Sequence, residues 1–445
     1  MAVEKLDLDV WNLILSHLLT TDLYAVALTS RAFQFGVIPR LYHTIFFRTQ
    51  HARRYPGMMT AFQAILQHPE LAMQVRCVEI RALPTNTKLK ATFLSECTRV
   101  IDLCTELSSF KCTVPVLPEF LPSLQGLKDG LRTLRIPGNL STPEAEMLLK
   151  IGDLDSLSID QGTWNVIDIL PRWTEGSSLT ELILFMTKEL NEDVLGSVLQ
   201  CLRNLRSLHI VGCPQIDHVS VLRLCKHLPA LESLTLNASD SLCPLDDDEG
   251  FPKLPRLRHI AFDTRYSRSI PPALDALYLV LECLQDSAPC LSSFTIRLSD
   301  KKTLVDYDFL KKLLKQHRRT LRQLAFLDCS LDMKHVTMIC KNCVRLERLE
   351  LPFPLKELVP FASALARSDT LQTIVDTQAF HGAYISLTPQ NVRLLMEAAP
   401  ALSTIISDRR VWKGYSDGVG RLNNISFRTL PTQGASSYWF LPAEL

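Results

Sequence analysis

The chain has 445 residues, of which 47% are hydrophobic, enough for a large buried core in several domains or one long repeat array. Its 48 basic and 47 acidic residues nearly cancel, which gives no electrostatic reason to expect nucleic acid or a membrane as partner. No apolar run approaches the roughly 20 residues that span a bilayer, and no secretion signal is expected. The 13 cysteines, an odd number, favour reduced thiols, so we expect a soluble protein of the cytoplasm or nucleus.

The first predicted elements are three short helices between residues 6 and 47. An apolar stripe at helical spacing, Val10, Leu13, Ile14 and Leu18, predicts the first helix. Two further helices are expected from about residue 20 and over about 31–42. Three helices this short cannot bury all their apolar side chains among themselves. Some of these side chains must therefore face a partner or the following domain.

The same segment carries a recognisable motif. The run L-x-L-x-V-x-x-x-I-L-x-x-L, followed by T-D-L, L-T-S-R-A-F and R-L-Y, extends from residue 6 to about 42. It resembles an F-box, the motif that binds the Skp adaptor of Skp–cullin–F-box (SCF) ubiquitin ligases. It departs from that pattern at Asp7, where most F-boxes have proline. The resemblance implies that adaptor-binding residues lie in the first helices: Leu6, Leu8, Val10, Trp11, Ile14, Leu15, Leu18 and Leu23.

A helical connector is predicted over residues 48–74. It leads into H-P-E-L-A-x-x-V-R-x-V-E-I, which resembles the junction between F-box and repeats in fungal F-box proteins.

A three-position apolar motif then recurs along the chain, as in Leu205-x-x-Leu208-x-Ile210. Its middle intervals are 25, 26, 26 and 26 residues, a register that random apolar content does not keep. Amphipathic helices, such as those near 192–202 and 306–317, fill the intervals. The motifs begin at Val75, Leu107, Leu131, Leu154, Leu179, Leu205, Leu231, Leu257, Leu291, Leu321, Leu346, Leu371, Leu402 and, more weakly, Leu422.

This strand-plus-helix period is the pattern of a leucine-rich repeat, whose units bury their apolar faces only against their neighbours. The predicted fold class is α/β: a leucine-rich-repeat solenoid, with parallel strands on the concave face and helices outside, after a small all-α F-box. The expected domains are F-box 1–47, connector 48–74, solenoid 75–407 and a terminal repeat or C-terminal cap 408–445. Insertions near 265 and 380 predict loops. Repeats containing V-G-C and L-D-C resemble those of leucine-rich F-box proteins.

Candidate chemistry is sparse. Cys340-x-x-Cys343 with nearby His335 lacks the fourth ligand of a structural zinc site, so core packing is favoured. The acidic run 246–249 lacks calcium-loop spacing and predicts a solvated loop. The basic residues between 311 and 319 predict a solvated helix face. No phosphate-binding, nucleophile-elbow or zinc-protease motif occurs, so no catalytic, cofactor-binding or metal residue is predicted.

The concave face is the expected target-binding surface. Between the core leucines, strand alternation points the intervening residues outward. These residues form a ladder of hydrogen-bonding groups, although simple solvation explains most of them individually. The predicted partner-binding residues are Ser207, His209, Thr235, Asn237, His259, Asp263, Arg297, Arg348 and Glu350.

The leading hypothesis is a non-catalytic substrate-recognition subunit of an SCF ligase, which binds the Skp adaptor by its F-box and a protein substrate by its repeats. A leucine-rich-repeat scaffold or regulator without adaptor binding is the alternative, because Asp7 departs from the F-box pattern. A GTPase activator is a further alternative, although such proteins usually end in a long acidic tail, which this chain lacks.

Overall fold

The computed structural model describes residues 8–18, 20–127, 130–238, 252–266, 274–378, 387–417, 422–430 and 438–441. The chain divides into two compact units, Met1–Thr187 and Lys188–Leu445. The predicted acidic loop 246–249 and most of the insertions near 265 and 380 lie outside the described residues.

In the first unit, six strands follow one another in chain order and each pairs with the next in parallel. The strands are β1 Thr44–Phe47, β2 Cys77–Ile80, β3 Ser109–Cys112, β4 Thr133–Pro137, β5 Ser156–Asp160 and β6 Glu181–Phe185. The helices are α1 Leu8–Ser16, α2 Thr20–Ala27, α3 Arg31–His43, α4 Thr49–Arg54, α5 Ala61–Gln67, α6 Thr87–Leu103, α7 Leu121–Gly126, α8 Thr142–Leu148 and α9 Trp164–Thr174. The parallel sheet thus begins at β1, ahead of the connector and of the predicted first repeat at Val75.

In the second unit, β7 to β14 are again parallel neighbours in chain order, and the sheet ends in two antiparallel strands. The strands are β7 Ser207–Val211, β8 Ser233–Asn237, β9 His259–Asp263, β10 Ser293–Arg297, β11 Gln323–Leu327, β12 Arg348–Leu351, β13 Thr373–Asp376, β14 Thr404–Ser407, β15 Arg410–Ser416 and β16 Leu422–Thr429. The helices are α10 Glu192–Cys201, α11 His218–Leu224, α12 Leu274–Ser287, α13 Tyr307–His317, α14 Met333–Asn342, α15 Leu358–Leu365 and α16 Pro389–Ala398.

The recurring leucines stack in register along each sheet. Leu208 on β7 pairs with Leu234 on β8, which pairs with Ile260 on β9, and all three are buried. Burying such side chains is the main stabilising term, at about 1.5–3 kcal/mol each. The register confirms the predicted fold class: a leucine-rich-repeat solenoid of the α/β class.

Helix starts are fixed by side chains at the ends of the intervening loops. Asn191, Asp217, Asp306 and Thr388 each accept a hydrogen bond from a backbone N–H in the first turn of the helix that follows. Such caps satisfy amide groups that have no partner inside the helix. These caps fix the residue at which each of the four helices begins.

The last predicted motif, at Leu422, is not a further repeat. Leu422, Ile425 and Phe427 lie on β16, which pairs antiparallel with β15. Phe427 is exposed and packs on Trp412 of β15, 4.7 Å between ring centres, instead of entering a core. β15 ends at Ser416 and β16 begins at Leu422, and connections this short join antiparallel neighbours.

No helix in the described ranges is long and apolar enough to cross a membrane.

Candidate functional site

The three N-terminal helices have a small core of their own. Leu15 of α1, Leu23 of α2 and Val37 of α3 are buried together. Trp11 packs edge-on against Phe33, with ring centres 4.7 Å apart. Ser30 caps α3 by accepting a hydrogen bond from the backbone of Phe33. The helices are therefore packed on each other by part of their apolar surface.

The rest of that apolar surface is exposed. On α1, Val10, Leu13 and Ile14 are spaced by three and four residues and form one stripe, with Leu13 65% exposed. Tyr24 of α2 and Leu28, the residue directly after that helix, are four residues apart, and Leu28 is 89% exposed. Phe35 of α3 is exposed as well. We call these six residues the apolar face. The α1 stripe is contiguous by its helical spacing, and exposed contiguous apolar surface of this kind marks surfaces that bind another protein.

The predicted adaptor-binding residues divide accordingly. Val10 and Ile14 belong to the apolar face, while Trp11 and Leu18 are half-buried. Leu15 and Leu23 are core residues and can only position the others, which corrects their assignment as contacts. Leu6 and the side chain of Leu8 lie outside the described residues. Sequence reasoning did not select Leu13, Tyr24, Leu28 and Phe35, which are exposed; for Leu13 its helical spacing beside Val10 and Ile14 was the available signal.

The second candidate surface is the side of the β7–β10 sheet that the core leucines do not occupy. Strand register places His209, Thr235, Ala261 and Thr295 in one row across these strands. It places Ser207, Ser233, His259 and Ser293 in an adjacent row. We call this surface the polar sheet face. It is the surface on which sequence reasoning placed target binding.

Two histidines of the polar sheet face hold hydrogen bonds between strands. His209 Nδ1 is 2.7 Å from the Thr235 hydroxyl, and His259 Nδ1 is 2.8 Å from the Ser293 hydroxyl. Burial lowers the pKa of His209 to about 3 and the pKa of His259 to about 4, so both rings are neutral at neutral pH. The Nε2 atom of His209 is buried and has no hydrogen-bond partner within the described part of the chain.

The C-terminal residues Tyr438–Leu441, which we call the tail segment, cover this face. The carbonyl oxygen of Phe440 lies 2.9 Å from His259 Nε2. The Phe440 ring is fully buried, with its centre 5.2 Å from that of His209. The guanidinium of Arg297 lies 5.2 Å from the centre of the Trp439 ring. Because a carbonyl can only accept, His259 donates from Nε2 and accepts from the Ser293 hydroxyl at Nδ1.

The predicted partner-binding residues are therefore not a solvated ladder. His209, Thr235, Asn237, His259 and Asp263 are all buried, and Ser207 is half-buried. Asp263 accepts from Arg265 through both carboxylate oxygens, and Asn237 accepts from the backbone of Gly212. Arg297 pairs with Asp328, and Arg348 pairs with Glu350 of the same strand. The expectation of simple solvation is wrong for these buried residues, and at His209 and His259 the tail segment supplies a cover that strand alternation cannot reveal.

The tail segment itself was the missed element. Its aromatic run, S-S-Y-W-F-L-P, lies within the segment 408–445 that is expected to form a terminal repeat or C-terminal cap. The structure gives the terminal position to β15 and β16 and places Phe440 on β7 and β9 instead.

The cysteine pair lies in the core, and the basic helix presents lysines to solvent, as the sequence predicts. Cys340 and Cys343 are buried, and burial raises the pKa of each thiol to about 12. His335 takes part in the capping box of α14 with Asp332. On α13, Lys312 pairs with Glu282, and Lys311 and Lys315 are exposed. Within the described ranges, no cluster of three potential metal ligands occurs.

Two solved structures resemble this chain. A chain of the yeast Rad7–Elc1 complex is 15% identical over 78% of this chain and 87% of its own length, with a TM-score of 0.46. A chain of the TLR13–ssRNA13 complex is 13% identical over 83% of this chain and 47% of its own length, with a TM-score of 0.33. No family model matches the sequence, and no curated protein is significantly similar to it. The fold assignment rests on the strand register described above.

Proposed function

We propose that this protein is a substrate-recognition subunit of an SCF ubiquitin ligase. The N-terminal helices bind the Skp adaptor, and the repeats of the second unit bind a target protein. One observation carries the proposal: the helices that resemble an F-box have their own core, Leu15, Leu23 and Val37, and still expose an apolar face. A helical unit that is already packed has no internal use for exposed leucines and aromatics, so a partner surface accounts for them.

The proposed role involves no bond-making by this chain. Adaptor binding joins the protein to the cullin assembly, and target binding holds target lysines near the ubiquitin-charged enzyme. Tethering raises the effective concentration of the target lysines near the ubiquitin-charged enzyme, up to about millimolar for short flexible links. In this proposal the chain contributes recognition of the adaptor and the target, and another subunit carries out the chemistry.

Co-purification with the Skp adaptor tests the proposal. Ile14→Asp and Leu13→Asp place a charge in the apolar face at positions that are already exposed, so the fold is retained. We expect the pair of substitutions to weaken adaptor binding at least 100-fold, since a buried unpaired charge is costly. Ser16→Asp adds the same charge to the same helix outside the apolar face and is the matched control.

Circular dichroism of each variant verifies that the helices persist. If the unmodified full-length chain does not bind the adaptor under conditions where a known F-box protein does, the ligase proposal is wrong. The chain is then a repeat scaffold whose apolar face binds some other protein.

A further inference from the structure

The polar sheet face and the tail segment together have the chemistry of a filled peptide-binding site. The aromatic ring of Phe440 is fully buried on a surface made mainly of serine, threonine and histidine side chains, with Ala261 among them. It contacts β7 through His209 and β9 through His259, which are separated in the sheet by β8. Phe440 therefore spans from β7, against which its ring lies, to β9, which its carbonyl contacts, and both strands are remote from it in sequence.

The contacts of the tail segment are those of a bound peptide. One backbone carbonyl, that of Phe440, accepts from a side chain of the sheet, His259. One ring, Phe440, enters a buried position, and a second, Trp439, stays half-buried beside Arg297. Tyr438 stacks on Phe440 with ring centres 4.9 Å apart. Backbone hydrogen bonding with an aromatic anchor is how peptides are commonly recognised.

The tail segment does not satisfy every polar group beneath it. His209 Nε2 remains buried without a partner in the described part of the chain, although its Nδ1 bonds to Thr235. A buried polar atom without a hydrogen bond has lost its contact with water and gained nothing in return. A peptide that also offers a hydrogen-bonding group to this atom would gain affinity over the tail segment.

We propose that the polar sheet face is a recognition site for a peptide bearing two consecutive large aromatic residues, and that the tail segment occupies it as an internal competitor. A target peptide presents its second aromatic ring to His209 and the carbonyl of that residue to His259. The target gains access by displacing Tyr438–Leu441. This inference rests on the proposed role of the repeats in target recognition and assigns that role to one surface and one ligand class.

A fluorescent peptide with the sequence of residues 431–445, PTQGASSYWFLPAEL, is the probe. Phe440→Asp in the full-length chain places a charge in the buried ring position and expels the tail segment. We expect this variant to bind the probe saturably in an anisotropy titration, at least tenfold more tightly than the unmodified chain. A probe with Asp in place of Phe440 is expected to bind this variant at least tenfold more weakly.

Two controls distinguish probe binding at the assigned site from nonspecific binding. Tyr415→Asp removes an exposed aromatic residue from β15, and it should leave probe binding as weak as in the unmodified chain. His259→Leu in the Phe440→Asp background removes the donor to the peptide carbonyl and should weaken probe binding at least tenfold. Probe binding that survives His259→Leu unchanged, in a folded variant, contradicts the assigned site.

If Phe440→Asp does not fold, a full-length chain with an inserted protease site tests the same inference. A protease site inserted between residues 432 and 436 lets the chain fold with its own tail in place and be cut afterwards. We expect the cut chain to exchange its tail fragment for the fluorescent probe and the uncut chain not to. If neither the folded Phe440→Asp variant nor the cut chain takes up the probe, the tail segment is a permanent structural element and the inference is wrong.

The peptide assay contains no adaptor, so its result is independent of the ligase proposal. Probe uptake without adaptor binding leaves a peptide-binding scaffold. Adaptor binding without probe uptake leaves a ligase subunit whose target binds elsewhere.

Discussion

The N-terminal helices and the polar sheet face break the usual rule of burial in opposite directions. The helices expose leucine and phenylalanine at Leu13, Leu28 and Phe35, whereas the sheet face buries histidine and aspartate at His209 and Asp263. Exposed apolar clusters and buried polar groups are the informative departures in a folded protein. In the sheet the cover is supplied by the chain itself; for the helices we propose that a second protein supplies it.

The comparison is tested most strongly within α1, where a core leucine and an exposed leucine are two residues apart. Leu15→Ala removes a side chain that is 1% exposed and should cost about 2–5 kcal/mol. Leu13→Ala removes one that is 65% exposed and should change stability by less than about 0.5 kcal/mol. Hydrogen exchange of the α1–α3 amides measures both changes locally.

Equal losses at the two positions would mean that the apolar face is packed against something in the free chain. The apolar face would then not be available to an adaptor.

A second prediction concerns the buried ion pair at the end of β9. The carboxylate of Asp263 is fully buried and its partner Arg265 is partly exposed, with 2.7 Å between Arg265 Nη2 and Asp263 Oδ2. Asp263→Ala leaves the guanidinium able to reach water, so we expect a loss of about 1–3 kcal/mol in urea unfolding. Arg172→Ala breaks the exposed pair with Glu146 and should cost less than about 1 kcal/mol. A reversed order would show that the polar sheet face is open to solvent.

A third prediction uses pH to weaken the docking of the tail segment on the polar sheet face. Burial lowers the pKa of His209 to about 3 and that of His259 to about 4, against about 6.5 for an exposed histidine. Docking therefore favours the neutral rings; it is fully present above about pH 6.5 and is lost as the pH falls toward the docked values. The charged neighbours are already in ion pairs, Asp263 with Arg265 and Arg297 with Asp328.

Probe binding to the Phe440→Asp chain should weaken between pH 7.5 and 5.5 by up to about tenfold for each histidine that the peptide buries. His209→Gln keeps a polar side chain without a titratable ring and should reduce this pH dependence. Binding that is unchanged or tighter at pH 5.5 would be inconsistent with neutral histidines beneath the peptide.

The repeat fold could be predicted from the sequence because its signal is redundant. Leu208, Leu234 and Ile260 occupy the same register position in successive strands, and the middle intervals repeat almost unchanged. The antiparallel end could not, because Leu422, Ile425 and Phe427 have the same strand spacing whichever way the strand runs. Only the short separation of β15 and β16 along the chain indicates the direction of β16.

The candidate sites were predictable only in part, for related reasons. Helical spacing selects Val10 and Ile14 but cannot show that Leu15 faces inward, since that depends on how α2 and α3 pack. Strand alternation selects His209 and His259 as facing away from the core. It cannot show that Phe440, 181 residues beyond His259, covers them, because a single nonlocal contact leaves no periodic trace.

Hydroxyl-radical footprinting of the full-length chain, with and without the Skp adaptor, tests the contrast between the two regions most directly, since it reports side-chain exposure in one experiment. We predict that Leu28 and Phe35 are oxidised rapidly in the free chain and protected by the adaptor, whereas Phe440 is protected in both samples. Rapid oxidation of Phe440 in the free chain, or unchanged oxidation of Leu28 and Phe35 with adaptor present, would contradict the account.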